Sequence, residues 1–479
     1  MSKINYQLRK GVDVVRQGED FYLLSEIPLV VIKINEALYR LLGEMRKFGF
    51  LSYITEQSHQ LIDLLNRLVN KGLLIKDEII ETQTIPSISI IIPVKNRPQD
   101  IKECLTSLSS LDYPKDKFEI IVVNDGSTDS TSKVIETFGI KAIHLPQSIG
   151  ASACRNLAAR EANGDLLGFT DSDCVPHSHW LKELSPSFND ERIGIVGGYV
   201  SNFYKQSLLD RYEAVKSSLN MGPSPFRVEK DKSSTAYVPS CNLIIRKKAF
   251  NEAYGFQEDL TVGEDVDLCW RTRKLGYHLL YIPLGEVKHK HRNDLLQMLK
   301  RRFDYGTSEA FLYSRHKEKR KMLYLPALYP IFYGFICLGI IVRYPISFVF
   351  GLAILGFDFW RKATKIRKAG VRLRSSKVVL SVLRTHLSFS YHLSSYLVRY
   401  YLIFLIPLSF IYPNLWTFLL FLLVFSAIVD FSIKRPAIHF FGFLLFYTLD
   451  QLAYQTGVLW GCITKKTLYP MRFFIKRGL

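Results

Sequence analysis

Between residues 88 and 169, four short apolar runs alternate with helical stretches, and this alternation constrains the fold more than any other feature of the chain. Residues 88–94 and 118–123 are rich in β-branched side chains; residues 140–145 and 165–169 form the third and fourth runs. Runs of this length and composition read as buried strands of a parallel sheet. Residues 98–111, 130–138 and 150–162 read as the helices between them. Strand and helix in turn make an α/β domain with a mostly parallel sheet. In such sheets ligands sit beyond the C-terminal strand ends. Asp125, Asp171 and Asp173 all fall at those ends.

The fourth run, Leu167-Gly168-Phe169, ends in Thr170-Asp171-Ser172-Asp173. Two carboxylates one residue apart at a strand end suit a hard cation, because Mg²⁺ and Mn²⁺ prefer carboxylate oxygen and substrate phosphates. Asp and Ser also suit a plain turn. Asp125 can accept hydrogen bonds from a nucleoside, or serve as a turn residue. Lys95 and Arg97 follow the first strand, and Arg155 lies near the start of a helix. Each can meet a phosphate or nucleotide, Arg155 through its planar fork. Gly263-Glu264-Asp265-Val266-Asp267 opens a further helix. Three acids there have a structural explanation in the helix dipole.

Five segments then occur in order: Ile92-Pro93-Val94-Lys95-Asn96-Arg97, residues 122–129 (Val-Val-Asn-Asp-Gly-Ser-Thr-Asp), residues 150–156 (Gly-Ala-Ser-Ala-Cys-Arg-Asn), Asp171-Ser172-Asp173 and residues 263–268 (Gly-Glu-Asp-Val-Asp-Leu). The series resembles the signature motifs of family 2 glycosyltransferases with the GT-A fold, over roughly residues 86–310 of a catalytic domain read as 84–310. The resemblance implies a nucleotide-sugar donor (a UDP-sugar), Mn²⁺ or Mg²⁺, and inversion at the anomeric carbon. By position it makes Asp265 the catalytic base, with Glu264 helping to orient the acceptor. It gives Pro93, Lys95, Arg97, Asp125, Arg155 and Asp171 to the donor. Asp173 is the direct metal ligand, with Asp171 beside it. His289, in Val287-Lys288-His289-Lys290-His291, is the expected third ligand in preference to His291, and neutral imidazole suits Mn²⁺ better than Mg²⁺. Gln297-Met298-Leu299-Lys300-Arg301-Arg302 departs from the Gln-x-x-Arg-Trp of processive members. Arg301 and Arg302 are left to the donor diphosphate or to an anionic lipid surface.

Residues 1–83 read as a small winged-helix-like α+β module. Strands lie within 19–34 with a turn at Glu26-Ile27-Pro28, and Asn35 caps a helix. A second helix follows Thr55-Glu56, with Leu61, Leu64, Leu65 and Leu68 on one face and Gly72 at its end. The pattern resembles PqqD-like peptide-binding domains. No cleavable signal peptide is expected from Met1-Ser2-Lys3-Ile4-Asn5-Tyr6.

Residues 311–479 read as a helical membrane region. Residues 323–342 are twenty uncharged residues, enough to span. Residues 344–357 are apolar but short. Arg361, Lys362, Lys365, Arg367, Lys368, Arg372, Arg374 and Lys377 then make a basic loop, cytoplasmic by the positive-inside rule, as are Lys317, Lys319, Arg320 and Lys321. Residues 400–429, broken by Pro407 and Pro413, read as a hairpin of two spans. Residues 437–463 contain Asp450 and Gln451 and read as interfacial. The expected setting is the cell membrane, multi-pass or interfacial, with the catalytic domain in the cytoplasm. The formal charge of +19 implies phosphate-bearing or membrane-lipid partners. Nucleic acid is not expected, since no zinc-finger spacing or RNA-binding motif occurs. The seven scattered cysteines contain no CxxC and fit a reduced compartment.

Taken with the N-terminal module, the ending 449–462 makes nearly the whole chain resemble the glycosyltransferases of mycofactocin systems. That implies a peptide-derived acceptor, the redox cofactor mycofactocin, carrying a short β-1,4-linked glucan built from UDP-glucose. A family 2 enzyme acting on a lipid carrier or a surface polysaccharide is the alternative.

Overall fold

The computed structural model describes residues 2–26, 29–48, 51–53, 59–80, 85–228, 234–319, 322–325, 328–368, 371, 373–472 and 474–477. The chain divides into two compact units, residues 84–323 with 394–476, and residues 1–83 with 324–393 and 477–479.

The first unit is built on an eight-stranded sheet. Leu166–Phe169, Ile88–Val94, Phe118–Asn124 and Lys141–His144 lie side by side and parallel, as expected. Ile88–Val94 is buried at every position, which is why it reads as a continuous apolar run. Ile88, Ile90 and Ile92 pack into one core layer and Ile91 into the opposite one. That alternation follows from the two-residue period of a strand. The sheet is mixed rather than wholly parallel. Leu243–Arg246 runs antiparallel to both Leu166–Phe169 and Ile193–Gly197. A mixed α/β sheet with a core on each face is the architecture expected of a GT-A domain.

A small second sheet orders Cys174–Pro176, Val287–His289 and Val200–Asn202. Its register sets His289 opposite Cys174, one residue beyond Asp173. Two long helices complete this unit. Leu295–Arg315 and Phe440–Thr464 cross with backbones nearly touching. A Cβ on Gly457 would collide with the Phe303 carbonyl, and one on Gly306 with the Tyr454 carbonyl. Only glycine allows this approach.

In the second unit, Val12–Gln17, Asp20–Glu26 and Leu29–Ile34 form an antiparallel meander, and Ser2–Leu8 lies between Leu51–Tyr53 and Leu74–Ile80. The Asn35 side chain accepts from Leu38 N at 2.9 Å and so caps Glu36–Phe48 as expected. Gly72 has φ +69° at the end of His59–Asn70. Ile27, Pro28, Thr55 and Glu56, named in the expected turn and helix start, lie outside the described residues, as do Arg320, Lys321 and Arg372 of the basic clusters.

The membrane region needs three corrections. First, residues 323–342 do not form one span: Met322–Leu325 is a strand, and the helix that follows, Tyr329–Ile341, has 13 residues. At 1.5 Å per residue it reaches about 20 Å, short of a hydrocarbon core of about 30 Å. Pro330 fixes its start, and Arg343, at φ +59°, turns the chain after its end. Second, the basic segment is largely helical, because Ile346–Lys368 carries the apolar run on into it and Ser375 begins another helix. Third, Asp450 and Gln451 do not form a polar surface on their helix. Both are buried, and Asp450 Oδ1 lies 3.1 Å from Arg302 Nε. The expected hairpin is present as Ser375–Ile411 and Leu415–Lys434, turning at Pro413 while Pro407 stays inside the first helix. By length and apolarity these two helices can cross a membrane.

Candidate functional site

The C-terminal strand ends, the 263–267 turn and the start of the Leu295–Arg315 helix enclose a cleft of about 340 Å³. Pro93, Lys95, Arg97, Asp125, Arg155, Asp171, Asp173, Glu264, Asp265, His289, Arg301 and Arg302 all line it. Residues scattered over two hundred positions are therefore brought to one place.

The Asp171 and Asp173 carboxylates already hold cations. Arg155 Nη2 donates to Asp171 Oδ1 at 2.6 Å, and Arg155 Nη1 donates to Glu264 Oε1 at 3.1 Å. Arg155 thus ties the strand-end pair to the acidic helix start. Its guanidinium is 3% exposed, and Phe256 lies 5.3 Å beneath it. Burial works against the Asp171 carboxylate, but Arg155 more than offsets it and holds the pKa below the usual value. Arg97 Nη1 donates to Asp173 Oδ2 at 2.8 Å and to Asp100 Oδ2 at 3.2 Å. The two arginines expected at the donor therefore neutralise the two acids.

Asp173 Oδ1 is buried without a hydrogen-bond partner and lies 3.5 Å from His289 Nε2. An orphaned carboxylate oxygen beside an imidazole nitrogen is the donor set a divalent cation would use. Ligand atoms of Asp173, Cys174 and His289 lie within 4.8 Å of one another. Burial pushes the Cys174 thiol well above its ordinary value, so the other two are the groups that could hold a hard cation. His291 points elsewhere, its Nε2 lying 3.0 Å from Asp210 Oδ1.

Asp125 serves the loop beside it. Its carboxylate accepts from Ser148 Oγ at 2.7 Å and Ile149 N at 2.6 Å. Burial raises its pKa, but these hydrogen bonds outweigh it and the net shift is downward.

Asp265 is different. Gly263, at φ +81°, opens the Glu264–Lys274 helix, and a Cβ there would press on Leu312 and Ser308. The turn presents Asp265 to the cleft, where it accepts from Val266 N at 2.8 Å and Ser240 N at 3.2 Å. Burial first, and then the charge of Glu264, push its carboxyl up to about 7. A carboxylate poised there suits general-base work at neutral pH. Asp267 is structural: it is 1% exposed and bound by Arg271 Nε at 2.7 Å and His316 Nε2 at 2.8 Å.

Arg301 is exposed to the cleft and stacks 4.8 Å from the Tyr305 ring. Arg302 turns away from the diphosphate role. It is 5% exposed and donates to Glu213 Oε1 at 2.6 Å, with Asp450 on its other side. Removing one partner from such a buried pair costs about 3–5 kcal/mol, so Arg302 is held by the fold. The sequence reading missed Arg292, whose Nη1 lies 3.9 Å from Asp173 Oδ2, and the Ser240 amide. Arg292 adjoins the His289–His291 run, which was a signal; a backbone amide leaves none.

The family model described as "Glycosyl transferase family 2" matches residues 89–253. That segment holds Asp125, Arg155, Asp171 and Asp173, and stops short of Asp265. The chain is 35% identical over 236 residues to the pre-mycofactocin glycosyltransferase of Mycobacterium tuberculosis, covering 48% of each protein. It therefore spans about half the length of that relative. Among solved structures, Staphylococcus aureus TarS 1–349 in complex with UDP is 22% identical, covering 48% of this chain and 64% of that one at a TM-score of 0.38. Glycosyltransferase AglE of Haloferax volcanii is 30% identical over 226 residues, 44% of this chain and 72% of the relative. With most of that relative matched, and with the motif residues gathered in one cleft, the chain belongs to glycosyl transferase family 2.

Proposed function

We propose that the chain is an inverting glycosyltransferase that moves glucose from UDP-glucose onto a peptide-derived redox cofactor, mycofactocin, and extends it as a short β-1,4-linked glucan. The observation that carries the reading is the meeting of Asp171, Asp173 and Asp265 in one cleft, two paired with the arginines Arg155 and Arg97 and the third poised near neutrality. The likeness to the mycobacterial pre-mycofactocin enzyme supports the acceptor.

In this mechanism an acceptor hydroxyl attacks the anomeric carbon. The new C–O bond forms as the sugar–phosphate C–O bond breaks, and the electron pair leaves with UDP. Asp265 takes the hydroxyl proton. Arg155 keeps Glu264 and Asp171 in place, and Arg301 faces the diphosphate. Asp173 and His289 would hold Mn²⁺ or Mg²⁺, which supplies positive charge at the departing diphosphate. No carboxylic acid is needed at the leaving group, unlike inverting hydrolysis. Residues 1–83 are the proposed PqqD-like peptide-binding module.

The test is transfer by the full chain from UDP-glucose to the peptide-derived acceptor, with the anomeric proton of the product read by NMR. A β-linked product is expected; an α-linked one refutes inversion. The two apolar helices favour a second reading, transfer to a lipid carrier. A lipid phosphate that outcompetes the peptide-derived acceptor would establish it.

We place the catalytic unit and the basic residues 361–377 on the cytosolic side, because cations border the apolar helices there. In a Lys368→Cys variant, an impermeant maleimide added to intact cells is expected to leave position 368 unlabelled and to label it after lysis. Ready labelling from outside reverses the topology.

A further inference from the structure

Cys174 has no part in the donor reading, yet it stands among groups that do. The register of the small sheet sets it directly opposite His289 on a neighbouring antiparallel strand. Side chains of directly opposed residues share one face of a sheet. The Asp173 main chain is tied to the continuation of the same strand, its carbonyl accepting from Lys290 N at 2.9 Å. One carboxylate oxygen, one thiol sulfur and one imidazole nitrogen therefore meet within 4.8 Å of one another.

This ligand set suits a different ion from Mg²⁺ or Mn²⁺, which select oxygen. A borderline-soft ion such as Zn²⁺ takes thiolate, imidazole and carboxylate together in a tetrahedron, and it outranks Mn²⁺ at such sites. With arms of about 2.0–2.1 Å, the edges of that tetrahedron are about 3.3 Å. Asp173 Oδ1 and His289 Nε2 already stand 3.5 Å apart. The sulfur has at most about 1.5 Å to close. Asp173 Oδ1 is buried without a hydrogen-bond partner, on a residue 7% exposed, while Arg97 takes Oδ2. Asp173 and His289 line the cleft, which gives an ion its way in and opens the fourth position to water. Cys174 itself is closed to bulk solvent, so an ion reaches its sulfur from the side of Asp173 and His289.

We propose that Asp173, Cys174 and His289 form a tetrahedral site for a thiophilic divalent cation of the Zn²⁺ class, and that filling it switches the enzyme off. On binding, the thiol gives up its proton to solvent. Charge explains the inhibition. A hard cation held by Asp173 and a neutral imidazole keeps one positive charge for the donor diphosphate. A thiophilic cation held by Asp173 and a Cys174 thiolate keeps none, and so lacks what the departing diphosphate needs. Asp171 does not alter this comparison, because Arg155 pairs with it in both cases. The inhibition rests on the glycosyltransferase reading above; the metal site does not.

The test uses the full chain in detergent, stripped of metal by a chelator, with Co²⁺ alone as the spectroscopic stand-in for Zn²⁺. Wild type is expected to show tetrahedral Co²⁺ absorption with a thiolate-to-cobalt charge-transfer band. Cys174→Ala is expected to lose that band. Cys241→Ser, at the other thiol that lines the cleft, is expected to keep it. In calorimetry, Zn²⁺ is expected to abolish most Mn²⁺-dependent UDP binding by wild type. Cys174→Ala should need at least about tenfold more Zn²⁺ for the same loss, since even an outer partner of a metal site is worth that much. Its UDP binding with Mn²⁺ alone should match wild type, which reports its folding. A wild type whose Co²⁺ spectrum shows no thiolate band overturns the proposal, whatever the variants do. So does a band that survives Cys174→Ala, or equal Zn²⁺ sensitivity in wild type and Cys174→Ala. A wild type that shows the band but binds UDP with neither ion overturns the glycosyltransferase reading and leaves the metal site standing.

Discussion

Asp265→Asn is expected to lower kcat by about 10²–10⁴, the usual share of a positioned general base. Asparagine keeps the size of the side chain and an oxygen for one of the Val266 and Ser240 amides, which donate to different carboxylate oxygens, and it caps helices well. The fold should therefore survive, and UDP affinity should change little. The pH profile gives a second readout. With the carboxyl raised to about 7 by burial and by Glu264, the wild-type base is protonated on the acid side and cannot accept a proton. Wild-type kcat/KM should rise with pH through that region and level off above it. The variant should lose that limb. Rates of transfer, measured beside UDP affinity across pH, check both points. Near-normal kcat would remove Asp265 from the mechanism and leave Glu264 as the remaining candidate, since Asp267 is occupied by Arg271 and His316.

Asp173→Ala is expected to abolish most Mn²⁺-dependent UDP binding and turnover together. Disturbing even an outer partner of a metal site costs about 10–100-fold in affinity or activity, and Asp173 is the proposed ligand itself. Its Oδ1 has no hydrogen-bond partner, His289 Nε2 lying 3.5 Å away, and on the other oxygen Arg97 retains Asp100 after the substitution. The loss should therefore appear in binding rather than in folding. Calorimetric titration of UDP with and without Mn²⁺ separates the two. Undiminished metal-dependent affinity in the variant would strike Asp173 from the site. His289→Ala should weaken the same binding less, because it removes a neutral ligand.

Much of this was legible along the chain. The strand at 88–94 announces itself because every position is buried, and the carboxylates at 171 and 173 declare a strand end by following such a run directly. Gly263 before Glu264 and Asp265 likewise reads as a helix start. These are local signals, carried by side-chain volume, β-branching and turn preference within a few residues. The partners of those groups were not legible. His289 reaches Asp173 through the register of a small sheet, and Arg155 bridges Asp171 and Glu264 across the cleft. Arg302 looks like any cleft arginine until Asp450 and Glu213 are brought to it. The 323–342 run met the length criterion for a span, yet a strand and a 13-residue helix break it. By itself, the sequence determined the α/β alternation of the catalytic core, the acidic motifs and the apolar hairpin near the end. Only the tertiary structure decided which cations those acids hold and that the Phe440–Thr464 helix packs on Leu295–Arg315 through Gly306 and Gly457. The reason is physical: hydrophobic pattern and turn chemistry act between neighbours, whereas ion pairing and helix crossing are settled by close packing between segments far apart in the chain.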